Sequence, residues 1–234
     1  ISPKAGLIYD LTDQFSLYAV YSETFQQITG DQYANIKKDW YSSVDPITHE
    51  TTEFGIKYDL NSGLSASAAY FQIDSNTPNQ VSTGVYNMKE SELSGFELQL
   101  VGALTDKLFV SAGYTNLDAE DTSGARIQEA PENVFSVWTN YLVNDRLALN
   151  LGIIYQDESI IDNDDEADAN GNKPHLPDFY RVDVGASYAL TESTRLQAKV
   201  ENLLDDIYFP SSHDTHQATV GAPINATFSI TSSF

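Results

Sequence analysis

Apolar residues recur at every second position through most of this chain. In the segment 196–201, Leu196, Ala198 and Val200 alternate with a glutamine, a lysine and a glutamate. Because successive side chains of a β-strand point to opposite faces of a sheet, this alternation predicts a strand with one apolar and one polar face. The core of a soluble β-sandwich would exclude the two charged residues, so the pattern indicates a sheet whose polar face meets water.

The same alternation predicts β-strands in eleven segments. They are 3–11, 15–24, 51–60, 64–74, 92–104, 108–118, 133–143, 147–158, 180–190, 195–204 and 222–234. The linkers alternate between short turns, as at 12–14 and 61–63, and long polar loops, as at 75–91 and 161–176. Outer-membrane barrels show this asymmetry, with short periplasmic turns and long extracellular loops. The sequence therefore predicts an all-β fold, a transmembrane antiparallel up-and-down β-barrel, rather than a soluble all-β protein.

An odd number of strands predicts an incomplete barrel. Bacterial barrels have an even number of strands and both chain ends in the periplasm, whereas the first strand predicted here starts at the long-loop rim. An open sheet would leave the backbone groups of both edge strands unpaired in lipid, at a prohibitive cost in free energy. We therefore expect the first and last strands to lack a partner on one side. We also expect residues 1–234, which start at Ile1 without a signal peptide, to be the C-terminal portion of a larger protein.

The charge balance excludes nucleic acid as a partner. The chain has 34 Asp and Glu against 12 Lys and Arg, for a net charge of -22, whereas phosphate contacts need clustered basic residues. It has no cysteine, so thiol chemistry is absent. The four histidines, at 49, 175, 213 and 216, lie in or beside predicted loops, away from any strand face that could assemble a catalytic triad. We therefore expect the protein not to be an enzyme.

Aromatic residues make up 12% of the chain, and many lie near the ends of predicted strands. Tyr9, Phe15 and Tyr21 mark the first two strands, and Tyr155 and Tyr180 lie at the loop ends of two later ones. Aromatic side chains prefer the membrane–water interface, so this placement predicts two girdles around a barrel.

Four segments carry motifs that occur together in one family. The segment NLLDDIYF (202–209) is followed by a polar loop, by GAP (221–223) and by a terminal strand ending in Phe234. The segments SPKAGLIYDLTDQFSLYAVYSETF (2–25), TEFGIKYDL (52–60) and SELSGFELQL (91–100) precede it in the order the family has them. Together they resemble the TonB-dependent outer-membrane receptors for ferric siderophores. Leu204, Asp206 and Ile224 depart from the family's C-terminal signature, and these departures concern the subfamily rather than the fold.

The resemblance implies a 22-stranded barrel plugged by an N-terminal domain. Residues 1–234 would form the C-terminal half of that barrel, without the plug and the first half. It also implies a receptor in the outer membrane of a Gram-negative bacterium that takes up a ferric siderophore with energy from the TonB complex, which acts through the missing N-terminal part. The ferric siderophore would be the transported ligand, and no intrinsic cofactor is expected. The alternative is a passive porin or substrate-specific channel, which shares the alternation and the turns but has no plug.

Loop residues at the extracellular mouth are the candidate ligand contacts, because aromatic rings, hydrogen-bond donors and cations can surround a chelate there. The candidates are Gln26, Gln32, Tyr33, Lys37, Lys38, Trp40, Tyr86, Arg126 and His213. The stretches 30–36 and 208–214 resemble the catecholate branch of the family. A less charged hydroxamate chelate would suit the acidic loops equally well.

Two loops have spacings that match metal sites in part only, so we assign no metal ligands, and a looser surface calcium site in the acidic loop stays an alternative to a solvated loop. His213 and His216 could present two imidazoles, but a solvated polar loop is the simpler interpretation. The acidic run 161–172 is spaced like the start of a calcium loop, yet Pro177 occupies the twelfth position, where such a loop needs a carboxylate.

The last strand carries a predicted assembly signal. Phe228, Ile230 and Phe234 share its apolar face, which would lie against outer-membrane lipid. This ending resembles the C-terminal signal that the barrel-assembly machinery reads.

Overall fold

Strands account for all the regular structure of the described residues. The structure, a computed structural model, describes residues 2–28, 45–60, 63–82, 85–162, 171, 173–212 and 215–233. The strands are β1 Lys4–Asp10, β2 Phe15–Gln26, β3 Ile47–Leu60, β4 Leu64–Ser82, β5 Val85–Thr105, β6 Leu108–Asp121, β7 Asn133–Leu142, β8 Leu147–Gln156, β9 Ser159–Ile160, β10 His175–Leu176, β11 Phe179–Ala189, β12 Thr194–Glu201, β13 Ser211–Ser212, β14 Ala218–Thr219 and β15 Asn225–Ser232. Over these ranges no helix is long and apolar enough to cross a membrane.

Eleven of these strands form one antiparallel sheet in the order β1-β2-β3-β4-β5-β6-β7-β8-β11-β12-β15. This confirms the predicted strand count and the up-and-down connection of neighbours. In the described part of the chain β1 and β15 are the two edges, as expected for an incomplete barrel. The remaining strands form two short ribbons, β9 with β10 and β13 with β14. Each ribbon strand has two residues, too few to show a period in the sequence.

The prediction of a loop at 75–91 is wrong, because β4 and β5 continue through most of this segment as a paired ribbon. Asn76 lies opposite Glu90, and Pro78 lies opposite Met88. These residues are largely polar, so hydrophobic alternation stops although the backbone pairing does not. The ribbon extends beyond its neighbours, since β3 reaches only Thr48 opposite Asn76 and β6 ends opposite Ser91.

The register brings the apolar residues of neighbouring strands opposite one another. One row across the sheet runs from Leu7 through Ala19, Phe54 and Tyr70 to Phe96. Leu7 is 70% exposed and Phe54 is 56% exposed, although both are large and apolar. We call this side of the sheet the apolar face and the other side the polar face. An apolar face exposed over eleven strands is what a lipid-facing sheet requires.

The short turns share one hydrogen-bonding pattern. The side-chain oxygens of Thr12, Thr105 and Asn144 each accept backbone N–H groups two and three residues later, at 2.9–3.2 Å. Ser, Thr, Asn and Asp favour such turns because their short side chains can reach the backbone that follows. The repetition confirms the predicted turns at this rim.

Candidate functional site

The middle of the polar face is lined by charged and aromatic side chains. The hydroxyl of Tyr18 donates a 2.5 Å hydrogen bond to Glu53, and the ammonium of Lys57 lies 5.2 Å from the centre of the Tyr18 ring. Glu97 occupies the same face on β5, since its register partner Ala69 alternates with the apolar-face residue Tyr70. These groups form a hydrophilic wall, as the lumen of a membrane barrel requires.

Glycines on this face make room for the aromatic rings. A Cβ built on Gly55 would lie 2.3 Å from Cζ of Tyr18, and one on Gly152 would lie 2.3 Å from the Trp138 ring. Each ring therefore covers the glycine of the next strand. The ammonium of Lys199 lies 6.0 Å from the Trp138 ring, so both contacts also include a lysine.

A buried polar cluster joins β11 to the end of β12. One oxygen of the Asp183 carboxylate accepts a 2.9 Å hydrogen bond from Arg181, and the other accepts the backbone N–H of Asn202 at 3.0 Å. Asp183 is 2% exposed and Asn202 is 1% exposed. The Arg181 guanidinium also lies 3.4 Å from the Tyr208 hydroxyl. Hydrogen bonds to an ionised carboxylate are stronger than those between neutral groups. The bond from Asp183 to Asn202, the residue that follows β12, therefore fixes the end of that strand.

The same cluster anchors the last long loop, 203–224. Asn202 adopts a left-handed backbone conformation with φ of 51°, and its side-chain amide donates to the carbonyls of Asp206 and Ala222 at 2.9 and 3.1 Å. The Tyr208 ring lies where a Cβ on Gly221 would be, at 2.2 Å from Cζ. Asn202 and Tyr208 of the NLLDDIYF motif, together with Gly221, therefore hold the two ends of the loop close to each other. We call these three residues the Asn202 clasp.

A row of carboxylates lies at the long-loop end of the apolar face. Glu23, Glu50, Asp74, Glu92 and Glu120 follow one another as direct cross-strand partners on β2 to β6. The four on β3 to β6 border an open cavity of about 580 Å³. Like charges directly opposite each other destabilise a sheet, and hydrocarbon excludes carboxylates, so this row lies beyond the lipid-facing band.

At the level of the carboxylate row, the apolar face carries acidic residues and the polar face carries apolar ones. Next to the carboxylate row along the strands, the polar face carries Phe71, Ile73, Leu93 and Leu117. Sequence reasoning treated each strand as having one apolar face along its whole length and missed the exchange. The detectable signal is that each of these strands places an acidic residue at an apolar-face position near its loop end.

Asp121 organises the extracellular end of β6. Its carboxylate pairs with the Lys89 ammonium at 2.8 Å and accepts hydrogen bonds from Ser123 and from the backbone N–H of Ala125. The Lys89 contact first, and then these hydrogen bonds, hold the pKa of Asp121 well below its ordinary value. The ionised carboxylate links Lys89 of the long ribbon to the end of β6.

A second polar cleft, of about 370 Å³, lies between the loop after β6 and the end of β8. Arg126 lines it and pairs with Glu132 at 2.9 Å. His175 lines it as well and lies 3.9 Å from Glu158. The cleft offers a cation, an imidazole and several carboxylates to a polar ligand at the extracellular rim.

The structure places only part of the predicted ligand set. Gln26 is the last residue of β2, opposite Ile47, and therefore lies in a strand rather than in a loop. Arg126 lies in the polar cleft, and the backbone of Tyr86 belongs to the β4–β5 ribbon. The side chain of Tyr86 and residues Gln32, Tyr33, Lys37, Lys38, Trp40 and His213 lie outside what the structure describes. The ligand set as a whole stays a prediction.

The predicted metal loops and the assembly signal have a similar status. Phe228 and Ile230 lie on the apolar face of β15 and are 77% and 74% exposed, whereas Phe234 lies outside the described residues. Most of the acidic run 161–172 also lies outside them. Among the residues that are described, no group of three His, Cys, Asp or Glu side chains could hold a metal ion. One histidine expected beside a loop, His49, is a β3 residue that hydrogen-bonds Ser75 at 2.8 Å.

A wide antiparallel sheet with an exposed apolar face, a polar opposite face, short turns at one rim and long loops at the other defines an outer-membrane barrel. The family described as TonB dependent receptor-like, beta-barrel, matches residues 1–203. The chain belongs to this family of Gram-negative outer-membrane receptors, and its apolar face is the lipid-facing side of the barrel.

Three relatives illustrate the similarity. The chain is 30% identical to the probable TonB-dependent siderophore receptor PiuA of Acinetobacter baumannii, over 94% of this chain and 32% of that protein. The crystal structure of PiuA matches with a TM-score of 0.86, over 98% of this chain and 35% of the PiuA chain. The ferripyoverdine receptor of Pseudomonas aeruginosa bound to ferripyoverdine matches with a TM-score of 0.84 at 26% identity, over 100% of this chain and 33% of the receptor. The catecholate siderophore receptor Fiu of Escherichia coli K12 is 25% identical over 89% of this chain and 29% of Fiu. The chain spans about a third of the length of these relatives.

Proposed function

We propose that the protein to which this chain belongs is an outer-membrane receptor that takes up a ferric siderophore with energy from the TonB complex. The family match over residues 1–203 carries this proposal, because it joins this sheet to receptors rather than to passive porins. The names of PiuA, the ferripyoverdine receptor and Fiu support an iron chelate as cargo. The ferric siderophore is then a transported ligand rather than a resident cofactor, and the protein is a transporter rather than an enzyme.

The chain would supply the C-terminal half of the barrel, and a plug domain would fill the lumen. Two observations support this arrangement. Among the described residues the sheet has open edges at β1 and β15, and in lipid such edges need further strands to cover them. The carboxylates of Glu53 and Glu97 and the ammonium of Lys57 face the lumen, where they can pair with polar groups of a plug.

Uptake by living cells tests this proposal. A deletion strain carrying the full-length receptor is given radioactive iron bound to a panel of catecholate, hydroxamate and mixed chelates under iron limitation. We expect accumulation of at least one chelate that requires both the receptor and TonB and stops when an uncoupler removes the proton-motive force. Uptake that persists without TonB would indicate a passive channel and contradict the proposal.

We further propose that the chelate binds among the extracellular loops, with Arg126, Tyr33 and Trp40 among its contacts. Arg126 supports this, because it lies in a polar cleft at the rim and its guanidinium can meet an anionic chelate. Each single alanine variant should bind the transported chelate several-fold more weakly in a titration with the purified full-length receptor. Lys107→Ala, in a short turn on the other rim, is the control and should bind normally. Unchanged affinity in all three variants would exclude these loops and leave the plug as the main binder.

We also propose that the last strand carries the signal that the barrel-assembly machinery recognises. The exposed apolar pair Phe228 and Ile230 on the edge strand β15 supports this, and Phe234 continues the same alternation. We expect Phe234→Asp to lower the amount of folded full-length receptor in the outer membrane several-fold. The measurement is heat-modifiable migration of membrane fractions on gels, with Ser233→Asp, at a polar-face position, as the control. An undiminished folded fraction for Phe234→Asp would contradict an assembly role.

A further inference from the structure

The apolar face has a depression near its β1 edge. A groove of about 650 Å³ crosses β1 to β5, and its lining is almost entirely apolar. On the apolar face, two small residues, Ala19 and Ala68, lie among larger ones. In the register, Ala19 lies between Leu7 and Phe54, and Ala68 lies between Ile56 and Leu98. The missing side-chain volume at the two alanines creates the depression.

The two ends of the groove differ in polarity. Towards the long loops, Thr52 and then Glu50 follow Phe54 on the same face of β3, and Glu50 belongs to the carboxylate row about 13 Å away along the strand. Towards the short turns, the residues on the same face of β2 to β4 are all apolar or aromatic, namely Phe15, Tyr58, Leu60, Leu64 and Ala66. The Phe15 and Tyr58 rings contact each other edge to face at 6.1 Å, as in an interfacial girdle.

We propose that this groove seats one acyl chain of a phospholipid from the periplasmic leaflet. The inference rests on the placement of the apolar face against lipid. Water and polar protein segments are excluded from a groove within the hydrocarbon, so an acyl chain is the occupant whose chemistry fits. Depth selects the leaflet. The groove starts about 13 Å from the carboxylate row, which lies beyond an apolar band about 25 Å tall, and it runs from there towards the short turns. It therefore lies in the half of the band next to the periplasm.

Filling the groove tests the proposal. Ala19→Leu and Ala68→Leu place a larger side chain in the depression, whereas Ala112→Leu adds the same side chain to the apolar face of β6, opposite Leu100 and outside the groove. The full-length receptor is purified in mild detergent, delipidated stepwise and titrated with palmitoyl-oleoyl phosphatidylethanolamine, and bound lipid is counted by native mass spectrometry. We expect one phospholipid to remain longest on the unaltered receptor and on Ala112→Leu, and to be retained several-fold less by the two groove variants. Equal retention by all four proteins, or lipopolysaccharide as the retained lipid, overturns the proposal.

A second measurement needs no variant. The unaltered receptor is reconstituted with a phosphatidylethanolamine that carries a photoactivatable diazirine on its acyl chain, and cross-linked peptides are mapped. We expect labelling concentrated on the peptides that contain Leu17, Phe54 and Ala68, whereas labelling spread evenly over the apolar face of β1 to β15 would contradict a seated chain. Ferric-chelate uptake should be unchanged in the groove variants, so a failure of this inference is distinguishable from a failure of the transport proposal.

Discussion

Replacement of Gly95 by alanine is expected to destabilise the full-length barrel strongly. A Cβ at this position would lie 2.2 Å from the backbone carbonyl oxygen of Asn116 and 3.0 Å from the Phe71 ring. The carbonyl belongs to the adjacent strand, so it can move only by disturbing the pairing of β5 with β6. Overpacking of this kind costs about 3 kcal/mol, and more where the backbone cannot yield. Heat-modifiable migration and urea unfolding of the refolded receptor measure the effect.

Gly113 provides a matched control one strand away. Gly113 lies on the polar face of β6, and Gly95 lies on the polar face of β5. A Cβ built on Gly113 would have Oγ of Ser136 as its nearest heavy atom, at 3.8 Å. Gly113→Ala should therefore fold normally. If Gly95→Ala were as stable as Gly113→Ala, close backbone approach would not be the reason for a glycine in the SELSGFELQL motif.

Removal of the Asp183 carboxylate is the second change with a large expected effect. In Asp183→Ala, the Arg181 guanidinium loses its 2.9 Å partner and the buried N–H of Asn202 loses its acceptor. The loss of a charge-assisted hydrogen bond and of the acceptor for a buried N–H costs about 3 kcal/mol, because the Arg181 side chain is only partly exposed and the Asn202 N–H is left without a partner. We expect a lower urea midpoint for the full-length barrel and faster proteolysis within the loop 203–224, which the Asn202 clasp holds.

Two further variants separate the charge from the hydrogen bond. Asp183→Asn keeps an acceptor for the Asn202 N–H but loses the ion pair with Arg181, so its stability should be intermediate. Ser187→Ala lies on the same face of the same strand, opposite Gln197, and should behave as the unaltered protein. Normal protease resistance of the loop in Asp183→Ala would contradict the clasp.

The eleven strands were predictable because a lipid-facing sheet must repeat the same local pattern in every strand. Each strand needs apolar residues at alternate positions and a turn-forming residue such as Thr12 or Asn144 at its short-turn end. Both signals are local and survive in a single sequence. The continuation of β4 and β5 past Asp74 and Glu92 was not predictable in this way, because its polar residues no longer face lipid and only backbone pairing keeps them in a strand.

The candidate site was less accessible to sequence reasoning. Arg126 was identified as a loop cation, and the structure adds the cleft and the pairing with Glu132 that define its surroundings. The carboxylate row was missed because each acidic residue is unremarkable in its own strand. Glu50 and Asp74 are 24 positions apart in the chain, and their direct opposition follows only from the register of β3 on β4.

By itself, the sequence determined the number of strands, the face that each strand turns to lipid and the rim at which the turns are short, because these depend on residues close together in the chain. The tertiary structure alone decided which residues lie opposite one another. The Asp183 contact with Asn202, the groove at Ala19 and Ala68 and the carboxylate row all depend on strand register. Register is set by backbone hydrogen bonds and side-chain packing between distant segments, and a shift of one residue would move every side chain to the other face.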